Sequence, residues 1–164
     1  MSKIKNIANS ADELAEVNRG QIEKRATWMG LMYDEIKKAG LDAEGIVRRA
    51  IKRCGLMRGE ELKKQCPNPS TCEDFRKVFP SDLGVRSFNM HNFSVDKDNL
   101  KTNFQYCALV SGWQKLGFDD ETCALLCDLA MEGDRAIAEA MGLHLDLGET
   151  IAQGCPECHL HFHK

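Results

Sequence analysis

The chain carries 8 cysteines in 164 residues, at positions 54, 66, 72, 107, 123, 127, 155 and 158. Thiols in such number cross-link a secreted domain, hold a metal, or act as free or catalytic groups in a reducing compartment. Only Cys155-Pro-Glu-Cys158 has the short spacing of a metal knuckle, and no second pair completes a zinc ribbon. Cys123 and Cys127 stand four apart in a helical pattern, which puts their Cβ atoms about 6 Å apart on one face. Two thiols so placed can share a metal or pack as small apolar groups. Cys66 and Cys72 flank a proline-rich loop and could meet as a ligand or redox pair. Glu132 and Asp134 form an acid pair among apolar neighbours; solvated acids at a helix bend, with Arg135 as a partner, are the plainer alternative. His91 lies among asparagines, either as a hydrogen-bonded structural group or as a proton carrier.

These groups need elements to position them. Residues 1–10 lack periodicity and are expected to fray. Residues 11–64 read as helical. Ser10 and Glu13 resemble a capping box, and Ile22, Ala26, Met29 and Ile36 recur at helical steps. Gly20 and Gly30 suggest a first helix in two pieces, and Gly40 its end. The stripe Trp28-Met29-Met32-Tyr33 reads as a core face, with a ligand pocket as the alternative. Asp42 caps a second helix running to about Lys64. Ser70 and Glu73 suggest a cap for one short helix inside the loop 66–80.

Residues 87–163 read as a sheet plus a helix pair. Ser87–Val95 alternates with period two, Asp96–Asn99 is turn-rich, and Leu100–Leu109 reads as the returning strand. Helices follow at Val110–Leu116 and from Asp119-Asp120 to about Gly133-Asp134. Leu143–Leu147 alternates again, and Thr150–Gln153 reads as its bulged continuation. In the last strand Cys158, Leu160 and Phe162 share the core face, and His159, His161 and His163 the outer one. Alternate residues on a strand stand about 7 Å apart, too far for all three imidazoles to hold one ion.

The pattern implies a single α+β domain over residues 1–164. An antiparallel sheet of about four strands is covered on one face by the N-terminal helices and by a helix pair inserted between two hairpins. Cys107 and Cys158 would enter the space between sheet and helices, roofed by the helix of Cys123, Cys127 and Asp134. Hydrophobic residues are 43%, charged residues 29%, and the net charge is −3. That balance gives no sign of a nucleic-acid partner, and no apolar run approaches the ~20 residues that span a bilayer. The start lacks the apolar core of a signal peptide, so a cytoplasmic location is expected. Self-association into a homo-oligomer is left open.

Three blocks resemble the L-2-amino-thiazoline-4-carboxylic acid hydrolase family. They are Tyr106-Cys107-Ala-Leu-Val-x-x-Trp113-x-x-Leu-Gly117, Cys127-Asp-x-Ala-Met-Glu-Gly-Asp134 and Gly154-x-x-x-Cys158-x-Leu-x-Phe162. Ile22-Glu23-x-Arg25-Ala26 with Trp28, and Cys54-Gly55-x-x-x-Gly59, match more loosely. Cys66, Cys72, Cys123, Cys155 and the histidine row fall outside the pattern. The resemblance implies hydrolysis of a C–N or C–S bond, other than a peptide bond, in a small cyclic amidine. Cys107 and Cys158 become candidate nucleophiles, or ligands of a metal that activates water. Asp134, with Glu132, would bind the amidinium or act as base, and His91 would carry a proton. A divalent zinc or iron held by Cys107, Cys127, Cys158 and Cys123 is the cofactor such a reading admits. Two other readings fit the same residues: a cysteine-rich metal-binding or redox protein, and a small-ligand binder that keeps the fold without the chemistry.

Overall fold

A computed structural model describes residues 2–9 and 12–164. Short polar side chains set the helix starts. Asp12 accepts from the amide of Ala15 and opens α1 (Glu13–Lys38), while Ser10 lies outside the described residues. Asp42 caps α2 (Ala43–Lys63) as its sequence position implied. Thr71, rather than Ser70, caps α3 (Cys72–Val78), and Ser81 caps α4 (Asp82–Ser87). α5 spans Ala108–Lys115 and α6 Asp120–Ala140, the latter capped by Asp119. Each such cap satisfies an amide that the helix leaves unpaired, for about 1 kcal/mol.

The strands are β1 (Met90–Val95), β2 (Asn99–Phe104), β3 (His144–Leu147) and β4 (Cys158–His163), in the order β1-β2-β4-β3, all antiparallel. The α+β class with one four-stranded antiparallel sheet is as expected. One row of inward residues crosses three strands: Met90 faces Phe104, and Phe104 faces Cys158. The next row runs from Thr102 through Leu160 to Leu147. The parity of β4 holds, because Cys158, Leu160 and Phe162 are buried while His159 is exposed on the far face.

Several boundaries differ from the sequence reading. Ser87 ends α4 instead of starting a strand, and Asn89 turns the chain with φ 47°. β1 then changes register between His91 and Ser94, where Asn92 has φ 53°. β2 stops at Phe104, so Cys107 caps a helix rather than lying in a strand. Residues 151–153 form a single 3₁₀ turn, not a bulged strand.

α1 is continuous through Gly20 and Gly30, and α6 through Gly133. Gly30 and Gly133 lie at close helix contacts, whereas Gly20 faces open space. A Cβ on Gly30 would come within 2.8 Å of the Phe118 ring. On α2, a Cβ at Gly55 would collide with the Gly133 carbonyl, and one at Gly59 with the Ala140 methyl. α2 and α6 therefore touch backbone to backbone, which only glycine and alanine allow. Across the same pair, Arg48 reaches Asp128 (2.8 Å) and Glu132 (3.0 Å). α1 packs on α5, where the buried Trp113 donates its indole N–H to the Ala26 carbonyl at 2.9 Å.

The stripe read as a core face divides. Met29 and Tyr33 are buried, whereas Trp28 is 72% exposed and Met32 also faces outward. Among the described residues no helix is long and apolar enough to cross a membrane.

Candidate active site

A cavity of about 360 Å³ lies between the sheet and the helices. Cys107, Cys127, Cys158 and Asp134 all line it, together with Arg25 and Arg58. Its floor is the sheet rows of Met90, Phe104, Leu160 and Leu147, and its roof includes Met131 and Ile137 of α6. The helical spacing of α6 explains the roof. Cys127, Met131 and Asp134 fall at steps of four and three and so share one face.

Cys107 is placed from two sides. Its amide donates to Asn6 Oδ1 at 2.9 Å, and its carbonyl accepts from Asn6 Nδ2 at 2.8 Å. The N-terminal segment thus clips the backbone just where α5 begins. Burial pushes the Cys107 thiol up, and the Asp134 carboxylate adds to this, while the Val110 and Leu109 amides and Arg25 pull it down. The Cys158 sulfur accepts from the Ile151 amide at 3.3 Å, and burial with the neighbouring Cys107 pushes its pKa up to about 12. Cys127 rises well above 9.0 for the same reasons: burial first, then Cys107 and Cys158. A thiolate on any of the three would be disfavoured by its neighbours. Burial thus pushes all three toward the neutral thiol.

Asp134 differs. Burial pushes its carboxyl up from 3.8 to about 6, against the pull of Arg25 and Arg135. It has no hydrogen-bond or ion-pair partner among the described residues, because Arg135 spends its guanidinium on Asp128 and Glu132. Arg25 likewise makes no ion pair among the described residues. The site therefore holds an unpaired carboxyl that titrates near neutrality and an unpaired cation within its electrostatic reach. A carboxyl so placed is costly unless a ligand meets it.

Three expected members lie elsewhere. Glu132 is clamped between Arg48 and Arg135 (2.6 Å) and ties α6 to α2; it does not line the cavity. Cys123 is fully buried, with its thiol 3.8 Å from the Phe118 carbonyl, and also stays outside. His91 sits on β1 with Nε2 3.0 Å from Glu157 Oε1. That contact is too poorly aligned to count as a hydrogen bond, so the buried nitrogen goes without one. His91 is not among the residues that line the cavity. Among the described residues no group of three or more His, Cys, Asp or Glu side chains is arranged to hold a metal ion, so Cys107, Cys123, Cys127 and Cys158 form no ready ligand set. All 8 thiols are free.

Arg58 was missed as a site residue, because scattered basic residues read as solvated faces, whereas Arg25, which with Arg86 could approach the thiols in space, does line the cavity.

The α+β sheet-and-helix fold thus gathers three thiols, one unpaired carboxyl and an arginine around a single cavity. The model of the L-2-amino-thiazoline-4-carboxylic acid hydrolase family matches residues 19–162, and the chain belongs to that family. No curated protein matches the chain.

Proposed function

We propose that the chain is a hydrolase of a small cyclic amidine or thiazoline carboxylic acid, with Asp134 as its proton-transferring group. The observation that carries this reading is the unpaired Asp134 carboxyl in one cavity with Cys107 and Arg25. The family's name supplies the substrate class. The substrate's amidinium pairs with Asp134, and its carboxylate is met by Arg25. Water adds to the amidine carbon while Asp134 accepts its proton. The ring C–S bond then breaks, Asp134 returns that proton to the departing sulfur, and the hydroxyl proton leaves to solvent as the carbonyl forms. The product is a carbamoyl amino acid with a free thiol; one water is consumed and nothing is oxidised.

Burial raises all three thiols, so none stands ready as a thiolate, and this reading uses water held against Asp134 as the nucleophile. A second reading rests on the amides of Leu109 and Val110, which favour a thiolate at Cys107 specifically. There Cys107 would displace the ring sulfur and water would release the resulting isothiourea.

The test is turnover of 2-aminothiazoline-4-carboxylate by Asp134→Asn, Cys107→Ala and Cys158→Ala, with mass spectrometry of the quenched protein. Water attack expects loss in Asp134→Asn, residual turnover in Cys107→Ala, and no adduct. Loss in Cys107→Ala with a trapped adduct transfers the role to the thiol. Full turnover by all three variants removes this cavity from the reaction.

A further inference from the structure

The cavity is larger than the family's name requires. Its 360 Å³ falls in the range of about 300–1,000 Å³ that encloses drug-sized ligands, whereas the name-giving acid is one five-membered ring with a carboxyl. The surplus has a direction. The floor row Cys158, Phe104, Met90 crosses three strands, and neighbouring strands stand about 4.8 Å apart, so Met90 lies roughly 10 Å from Cys158. Cys107, Cys127 and Cys158 lie close enough to raise one another, and Asp134 and Arg25 both act on Cys107. Phe104 and Met90 carry the row onward without charge, and the Phe88 ring, 5.2 Å from that of Phe104, walls it.

We propose that the natural substrate is an amidine-type carboxylic acid with an apolar, ring-sized substituent lying over Phe104 and Met90. This rests on the carboxylate-site reading above and adds the substituent to it.

Calorimetry with two ureido acids that resemble the product separates the two ideas without turnover. N-carbamoyl-phenylalanine should bind about 10- to 100-fold tighter than N-carbamoyl-glycine, the return for burying one ring. Phe88→Leu and, at the half-buried strand edge, Met90→Gln should shrink that preference to within about 3-fold while N-carbamoyl-glycine binds as before. Equal affinity of both probes for the native protein, or a preference untouched by both variants, overturns the substituent alone. Binding of neither probe overturns it together with the carboxylate site.

A separate observation concerns the outward face of α1. Leu14, Val17, Trp28 and Leu31 are exposed there, with Gln21 and Lys24 between them. Their alternating steps of three and four form one seam on a helix. The seam reads the same from either end: apolar pair, polar pair, apolar pair. In an antiparallel pairing about the point between Ile22 and Glu23, Leu14 meets Leu31, Val17 meets Trp28, and Gln21 meets Lys24. A symmetric seam fits its own copy, as a two-fold interface requires.

We infer that α1 is the contact of a two-fold homodimer. Sedimentation across a dilution series should show a dimer for the full chain and a monomer for Trp28→Glu, with unchanged helix content by circular dichroism. A native monomer throughout the series, or a dimer that survives Trp28→Glu, overturns the inference.

Discussion

Asp134→Asn should abolish turnover and, at neutral pH, stabilise the fold. The carboxyl has an ordinary value of 3.8 and sits near 6 when folded. Because its folded pKa is raised, the folded state binds the proton more tightly than the unfolded chain does. Stability then falls as pH rises from about 4 to about 6, and the full cost applies above 6. Two pH units at about 1.4 kcal/mol each give a cost of about 3 kcal/mol at pH 7. Asparagine keeps the shape and drops the charge, so it removes that cost. For a chain of this size the melting temperature should rise by up to ~10 °C. The gain must shrink below pH 6 and vanish near pH 4, where the native carboxyl is protonated in both states. Thermal melts of both proteins from pH 4 to 8, beside kcat/KM of the native protein, make the assay. The kcat/KM should fall on the acid side with an inflection near 6. A melting-temperature difference that is negative, or flat with pH, would refute the unpaired carboxyl and with it the base.

Three other outcomes follow from the packing. Asn6→Ala removes both bonds that clip the Cys107 backbone and should cost about 1–3 kcal/mol in denaturant melts, with a fall in turnover. Gly55→Ala forces a methyl into the Gly133 carbonyl and should destabilise by about 1–3 kcal/mol; a neutral result would mean that α2 and α6 do not approach so closely. Iodoacetamide at pH 7.5, read by peptide mapping, should label the exposed Cys54 well before Cys107, Cys127 and Cys158, whose burial withholds the thiolate.

The sequence made some of this legible for simple reasons. A strand has a period of two, so Leu160 and Phe162 dictated that Cys158 points inward. Helical steps put Cys127 and Asp134 on one face of α6. Other features depend on contacts that no local pattern encodes. Gly133 looks like a helix break, yet it is the spot where α2 presses in. Cys107 follows an aromatic, β-branched run and was read as strand; the clip by Asn6, 101 residues away, holds it at a helix start instead. Trp28 and Tyr33 have similar chemistry, and only the tertiary packing around α1 decides which one is covered. Glu132 and Asp134 are two residues apart, so a helix turns them to different sides, one toward two arginines and the other toward the cavity.

Gly133 and Asp134 are consecutive. The rung of α6 that seats against α2 therefore also aims the carboxyl. Any change that lifts the two helices apart by a fraction of an ångström will swing Asp134 relative to Cys107 and Arg25. Gly55 of α2, which does not line the cavity, thus bears on where the carboxyl sits through its contact with Gly133.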